Sequence, residues 1–349
     1  MSAFEFDLPE RNIALRPVEP QDAARLLVVH GDGRLEDAHV RDLPQYLSQG
    51  DVLVFNDTRV IPAALKGIRP ARNEQGSDVA VDINLVARES ESDWLALARP
   101  GKRLKNGDVI RIRDDLSTQI IEKRADGELL LRFSQSGEAL DLAIEAFGNM
   151  PLPPYIARKR AADATDRQTY QTSFASDDAQ SVAAPTAGLH FTPRLLNEIA
   201  AAEILRAEVR LHVGLGTFAT LKDEQIETGI LHEEWRQITP AVAGKLNAIR
   251  ANGHRCVAVG TTSLRTLESC AEVDKTINAA TGPTDIFIQP GYAFRATDAL
   301  ITNFHLPGSS LFMLVCALMG TDIMQAAYAH AVAEDYRFYS YGDACLLLP

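Results

Sequence analysis

The chain has 349 residues, 46% of them hydrophobic and 23% charged, a composition that excludes wholesale disorder and supplies ample material for a core. A formal net charge of -12 speaks against binding nucleic acid with the whole surface, because phosphate affinity rests on Lys and Arg; only a local basic patch stays open. The four cysteines, Cys256, Cys270, Cys316 and Cys345, show no paired CxxC spacing for zinc or redox chemistry and read as buried reduced thiols.

The length exceeds the usual single-domain size, so two domains, or one with an insertion, are expected. The longest strongly apolar run, Leu311 to Met319, is too short to span a bilayer. The start, MSAFEFDLPERN, lacks a basic region followed by an apolar stretch, so a cytoplasmic location is expected.

Phe4 to Gly67 reads as α/β material. Val52 to Phe55 is a short buried strand, followed by the polar turn Asn56-Asp57-Thr58-Arg59 and stopped at Pro62. Polar groups at the end of an apolar strand are where α/β folds place chemistry, although Asp57 could equally close a plain Asx turn. From 68 to about 135, short β-rich runs (VAVDINLVA, WLALA, VIRIR, TQIIEK, LLLRF) alternate with Gly, Asp and Asn turns, which points to a small antiparallel barrel or sandwich. Charge shifts as well: residues 66 to 132 hold 13 Lys and Arg against 12 Asp and Glu. The loop RPGKRLKNGD gathers Lys102, Arg103 and Lys105, either a solvated turn or a phosphate contact.

A helix-like stretch, Gly137 to Gly148, leads into MPLPPYIARKR, whose prolines extend the chain and deliver Arg158, Lys159 and Arg160 together. Thereafter α/β alternation resumes, with helix 193–203, strand 207–213, helix 240–252, strand 255–259 and helix 263–272. The β-rich block therefore reads as an insertion. The domains expected are 1–67 and 151–349 for a large α/β domain with a mixed sheet, and 68–150 for a smaller inserted β-rich domain, a barrel or a sandwich.

Six stretches could carry chemistry. SVAAPTAGLHFTPRLL sets His190 just ahead of a helix marked by Thr192 as N-cap and Pro193 as first residue; Thr186 and Gly188 lie among small residues that let backbone approach a ligand. RLHVGLGTF is a strand bearing His212 that ends in Gly214-Leu215-Gly216-Thr217, part of a phosphate fingerprint or simply a strand exit. LHEEWRQI offers Glu234 for acid/base work and Trp235 for stacking. CVAVGTTSLRTLES is a buried strand, the turn Gly260-Thr261-Thr262-Ser263 and a helix carrying Arg265 and Glu268, a start suited to a carboxylate. ITNFHLPGSSLFMLV ends a strand with Asn303 and His305 and caps a helix with Ser309 or Ser310; YRFYSYGDACLLL places Asp343 before a last strand. Each stretch alone has a bland explanation, but together they suggest one cleft along a sheet edge. Neither HExxH nor GxSxG occurs, so no metal is indicated.

These stretches, with FDLPERNIALRP, GDVLVFNDTRVIPA, PGKRL, PLPPYI, YQTSFA and IFIQPGYAF, follow one another in the order of the S-adenosylmethionine:tRNA ribosyltransferase-isomerase family, which the chain resembles from Phe4 to Leu346. The resemblance implies a large α/β domain interrupted by a β-barrel, and an enzyme of queuosine biosynthesis. Such an enzyme moves the ribosyl part of S-adenosylmethionine onto a 7-aminomethyl-7-deazaguanine base in the tRNA anticodon, giving epoxyqueuosine and releasing adenine and methionine. S-adenosylmethionine is then a consumed substrate rather than a cofactor, no metal or membrane takes part, and the expected state is a monomer.

That chemistry needs a base beside the sulfonium carbon, a neutralised leaving adenine and an uncharged amine. His190 and His212 are expected as base and proton carriers, Asp57 or Glu234 to orient one of them, and Arg59 or Arg265 to stabilise negative charge. Thr186, Gly188, Gly214, Gly216, Thr217, Gly260 to Ser263, Arg265, Asn303 and His305 are expected to line the substrate; Lys102, Arg103, Lys105 and Arg158 to Arg160 are expected on the tRNA. The chain departs from the family at Gly229 (a histidine expected), Glu233 (a serine), Asn149 (a histidine) and Gln180 (a glycine), which puts more weight on His190. The rival readings are an S-adenosylmethionine-dependent RNA methyltransferase, which would make S-adenosylhomocysteine, and a non-enzymatic tRNA-binding protein.

Overall fold

Short apolar runs, far apart in sequence, become neighbouring strands in the computed structural model, which describes residues 2–124, 127–177, 180–212 and 230–349. In chain order the strands are β1 (Arg25–His30), β2 (Leu35–His39), β3 (Val52–Asn56), β4 (Arg59–Val60), β5 (Ala64–Arg69), β6 (Val79–Arg88), β7 (Asp93–Arg99), β8 (Val109–Arg111) and β9 (Ser117–Lys123). They continue with β10 (Leu129–Phe133), β11 (Gln180–Ser181), β12 (Leu205–Leu211), β13 (Ile230–Ile238), β14 (Cys256–Val259), β15 (Ala280–Ile286), β16 (Ala299–Asn303) and β17 (Ala344–Leu348). The chain folds into two compact units, one of Met1–Arg59, Thr172–Ala179 and Pro185–Pro349, the other of Val60–Gln171 and Gln180–Ala184.

The first unit is built on a nine-stranded sheet in the order β15-β13-β12-β3-β14-β16-β17-β1-β2. β12, β3, β14 and β16 are parallel to their neighbours within that run, β1 is parallel to β17, and the remaining pairs are antiparallel, so the sheet is mixed. Strands VLVF and CVAV are buried at every position because helices cover both faces, which is why they read as unbroken apolar runs. Alternate residues feed two cores: Val52, Val54 and Ala258 pack with Leu246, Leu264 and Phe312, while Leu53, Phe55 and Val257 pack with Leu195 and Ile199.

The helices begin where the sequence marks them. Thr192 caps Pro193–Ala201, Thr239 caps Pro240–Ala251 and Ser309 caps Ser310–Met319, each hydroxyl accepting a backbone N–H of the first turn. Gly320, at φ +94°, ends one helix and starts the next, Thr321–Ala333, and the two are bent by 117°. Among the described residues no single helix is long and apolar enough to cross a membrane. All four cysteines are buried and unpaired, and burial pushes the Cys256 and Cys316 thiols up to about 12.

The second unit holds a closed antiparallel barrel in the order β10-β7-β6-β5-β8-β9, so of the two shapes open to the sequence the barrel is the one formed. Its strands alternate inward and outward: Leu65, Val81, Ile83, Trp94, Ile110, Ile120 and Leu131 are buried, as period-two patterning requires. Gly67 is needed where β5 meets β8, since a Cβ there would lie 2.7 Å from the Ile110 side chain and 2.8 Å from the Arg111 carbonyl. This unit is longer on both sides than the block 68–150 marked by composition. β5 already begins at Ala64. Past residue 150, Arg167 donates to the Gly148 carbonyl, and the Gln171 amide both accepts from and donates to the Val60 backbone at 3.1 Å.

Candidate active site

Because β12, β3, β14 and β16 run parallel, their carboxyl ends share one edge of the first unit's sheet. Val209 pairs with Asn56, and Val259 with both Phe55 and Ile301. β17 runs antiparallel to β16 and sets Ala344 opposite Asn303, while Trp235 of β13 accepts the His212 N–H at 2.8 Å. The turns carrying Asp57, His212, Gly260, Asn303 and Asp343 therefore all leave from the same edge, where open α/β sheets bind ligands.

His190 ends the tight turn Thr186–His190 and is buried. The Thr186 hydroxyl donates to Asn303 Oδ1 at 2.8 Å, which turns the Asn303 amide nitrogen toward His190 Nε2, 3.3 Å away. The ring also hydrogen-bonds the Gln21 backbone. The Nε2 lone pair is thereby the acceptor for the Asn303 amide N–H. Burial drives the His190 pKa down to about 4, opposed by the nearby Asp343 carboxylate, so the ring is neutral at pH 7 and able to accept a proton. Gly188 sits where a Cβ would lie 2.8 Å from the Phe174 ring and 3.1 Å from the Thr172 methyl, so its small size serves packing under the turn.

At the neighbouring strand ends, Asp57 binds Arg210 through two bonds of 3.0 and 2.7 Å, and its backbone is pinned by Val209 and Ser176. Asp57 therefore closes an ion pair rather than an Asx turn. His212 follows β12 rather than lying within it; its ring stacks on Trp235 with centroids 4.7 Å apart. Burial lowers its pKa, the Arg210 charge lowers it further, and Asp57 opposes both. Arg59 reaches Asp177 at 2.8 Å in an exposed pair.

The helix Thr261–Glu268 starts at Gly260, whose φ of +89° is the left-handed region that favours glycine. Ser263 donates to the Val259 carbonyl at 2.8 Å and is thereby committed to the backbone. Arg265 pairs with Glu234, and both are buried. Glu268 accepts from the backbone N–H groups of Arg295, Ala296 and Thr297 and from the Tyr292 hydroxyl, fixing the loop that carries Tyr292 and Phe294. Several buried polar atoms at or near this edge have no hydrogen-bond partner among the described residues: Thr58 Oγ1, Thr172 Oγ1, Thr262 Oγ1 and Arg265 Nη2. Such atoms cost about 1–3 kcal/mol each unless something bonds them.

The remaining expected residues divide. His305 is buried, with Nε2 3.1 Å from the Thr302 hydroxyl and its backbone N–H donating to Tyr328 Oη; burial takes its pKa to about 3. Gly214, Gly216, Thr217 and Gly229 lie outside the described residues. Lys102, Arg103 and Lys105 are exposed on the loop after β7; Arg158 and Lys159 are exposed, but Arg160 makes a two-bond pair with Asp166, each 2.7 Å. Asn149 exchanges backbone hydrogen bonds with Ala64, at 3.1 and 2.8 Å. Thr172 and Arg210 were missed by sequence reasoning. Thr172 had a signal in the YQTSFA block, whereas Arg210 had only its place one strand period from His212.

Two of these histidines make acid stability testable. An unfolded histidine titrates near 6.5, while His190 and His305 titrate near 4 and 3 in the fold. The unfolded chain thus binds more protons in that window; stability is full above pH 6.5 and falls as pH drops toward 4, by about 1.4 kcal/mol per pH unit per histidine. The urea midpoint is expected to hold from pH 8 to 7 and to fall from pH 6.5 to 4.5; a midpoint flat to pH 4.5 contradicts this.

A family model described as a queuosine biosynthesis protein matches residues 1–347. The S-adenosylmethionine:tRNA ribosyltransferase-isomerase of Hyphomonas neptunium is 68% identical over 349 residues, spanning 100% of this chain and 99% of the relative. That of Maricaulis maris is 53% identical over 348 residues, spanning 99% and 98%. Among solved structures, the S-adenosylmethionine tRNA ribosyltransferase of Thermotoga maritima is similar at 36% identity with a TM-score of 0.57, over 99% of this chain and 100% of that one.

Proposed function

Because the chain belongs to the queuosine biosynthesis protein family, we propose that it transfers and isomerises the ribosyl moiety of S-adenosylmethionine onto the 7-aminomethyl-7-deazaguanine base of a tRNA anticodon. The products are epoxyqueuosine in the tRNA, free adenine and free methionine; the sulfonium compound is consumed and no cofactor is retained.

The observation that carries the reading at the level of residues is the sheet edge, where a neutral buried histidine stands among buried polar atoms that the fold leaves unbonded. His190 Nε2 is assigned to take the proton from the carbon beside the sulfonium, which the positive sulfur acidifies, giving up for it the hydrogen bond that it accepts from Asn303 in the free protein. Asn303 and Thr186 hold that ring in one orientation. Arg265 Nη2 and Thr262 Oγ1, both on the helix Thr261–Glu268, suit the methionine carboxylate. His212, flanked by Asp57 and Arg210, is assigned to proton transfer at the leaving adenine or the attacking amine. Lys102, Arg103, Lys105, Arg158 and Lys159 are assigned to tRNA phosphate.

The test is product analysis. Incubation with S-adenosylmethionine and tRNA carrying the aminomethyl base is expected to release adenine and methionine in equal amounts. S-adenosylhomocysteine would instead identify a methyltransferase, and tRNA binding without consumption of the sulfonium a non-enzymatic protein.

A further inference from the structure

Several of the second unit's cations are tied to carboxylates. Arg72 is tied to Asp108 at 2.6 Å, Arg132 to Asp93 at 2.8 Å, Arg160 to Asp166 at 2.7 Å and Arg167 to Glu145 at 3.2 Å, and Arg88 is paired with Asp141. The side chains of Lys66, Arg99 and Arg111 are exposed and enter no ion pair or hydrogen bond among the described residues, although each projects from a regular strand.

Strand register gathers these three on one outward face. Lys66 of β5 lies opposite Asp82 of β6, which lies opposite Arg99 of β7; Ile68 of β5 lies opposite both Ala80 and Arg111. Two aliphatic side chains lie exposed beside them on β5 and β8, Ile68 at 50% and Val109 at 42%. One carboxylate, Asp82, stands between Lys66 and Arg99 without pairing with either. β7 then runs straight into the loop of Lys102, Arg103 and Lys105, so the strip continues from sheet to loop. The charge of the whole chain supports the distinction. The second unit carries 17 Lys and Arg against 17 Asp and Glu, leaving 18 against 30 for the first, which therefore holds the entire net charge of -12.

We propose that this outward face of β5 to β8 is a docking surface for RNA backbone, occupied by the substrate tRNA away from its reacting base. The inference rests on the ribosyltransferase reading. The occupant follows from the chemistry: unpaired cations match phosphate, small aliphatic side chains admit ribose, and no aromatic ring stands among the named residues to stack a base. Contact is therefore with backbone and indifferent to sequence.

The experiment is tRNA binding by the full chain across a salt series, with steady-state kinetics alongside. Lys66→Ala, Arg99→Ala and Arg111→Ala combined are expected to flatten the slope of log affinity against log salt by roughly two to three units. The KM for tRNA should rise about tenfold or more while kcat at saturating tRNA and the KM for S-adenosylmethionine stay unchanged. The charge-preserving set Lys66→Arg, Arg99→Lys and Arg111→Lys should keep the wild-type slope. An unchanged slope in the neutral variant, or an equal loss in the charge-preserving one, overturns the proposal. Sedimentation showing a wild-type dimer that the neutral variant dissociates overturns it too, in favour of a second copy of this chain. If wild-type protein neither binds tRNA nor releases adenine, it is the ribosyltransferase reading that has failed.

Discussion

His190→Ala is expected to lower kcat for adenine release by about 10²- to 10⁴-fold, the range a positioned general base contributes. The substitution also removes the partner of the Asn303 amide nitrogen and opens space in a buried turn, so a loss of about 1–3 kcal/mol in stability should accompany it. The two effects are separated by His190→Gln, whose amide oxygen can still accept from Asn303 but cannot take a proton at neutral pH. If His190 is the base, His190→Gln regains much of the lost stability and binds S-adenosylmethionine, yet stays inactive. A kcat within threefold of wild type for either variant removes His190 from the chemistry. Full activity in His190→Gln with none in His190→Ala would make the residue a positioning group for Asn303.

Breaking the buried pair of Arg265 and Glu234 is the second large effect. Each side chain is under a tenth exposed, so Arg265→Leu takes the Arg265 charge away from the buried Glu234 carboxylate and is expected to cost about 3–5 kcal/mol, read as a lowered urea midpoint. Pairing it with Glu234→Leu removes both charges at once and should restore most of that stability, since a buried ion pair and an apolar replacement are often nearly equivalent. Activity should not return with it. Arg265 Nη2, the donor that the fold leaves unbonded, is assigned to the substrate carboxylate, so the double variant is expected to fold well and to show a raised KM for S-adenosylmethionine. Recovery of wild-type KM in the double variant would strip Arg265 of any substrate role and leave it purely structural.

Much of the scaffold was legible because the local signals agreed. Thr192 and Pro193, Thr239 and Pro240, and Ser309 each mark a helix start by a hydroxyl that can bond the first-turn N–H groups, and the helices begin there. The β-rich block showed itself by alternation between close-set turns, because one face of each strand meets the interior and the other meets water; its closure into a barrel rather than a sandwich was not legible there. Element ends were less exact. The strand expected at 207–213 runs Leu205–Leu211, which places His212 just past its end, at the edge. The second unit reaches beyond the block marked by composition because Arg167 and Gln171 join it through several side-chain bonds to backbone, which change neither composition nor periodicity.

Sequence by itself settled the class of fold, the helix caps and the set of polar turns worth considering, since propensity, capping and hydrophobic period act between residues close along the chain. Tertiary structure alone decided which of those groups are committed and which are not. Asp57 meets Arg210 across 153 positions, Arg160 is spent on Asp166, and Asn303 comes to His190 from 113 residues away. Arg265 is half engaged by Glu234 and half unbonded. The reason is physical: a charge or a lone pair is defined by what lies within about 3 Å of it, and the parallel order of β12, β3, β14 and β16, which no local pattern encodes, is what brings those neighbours to one edge.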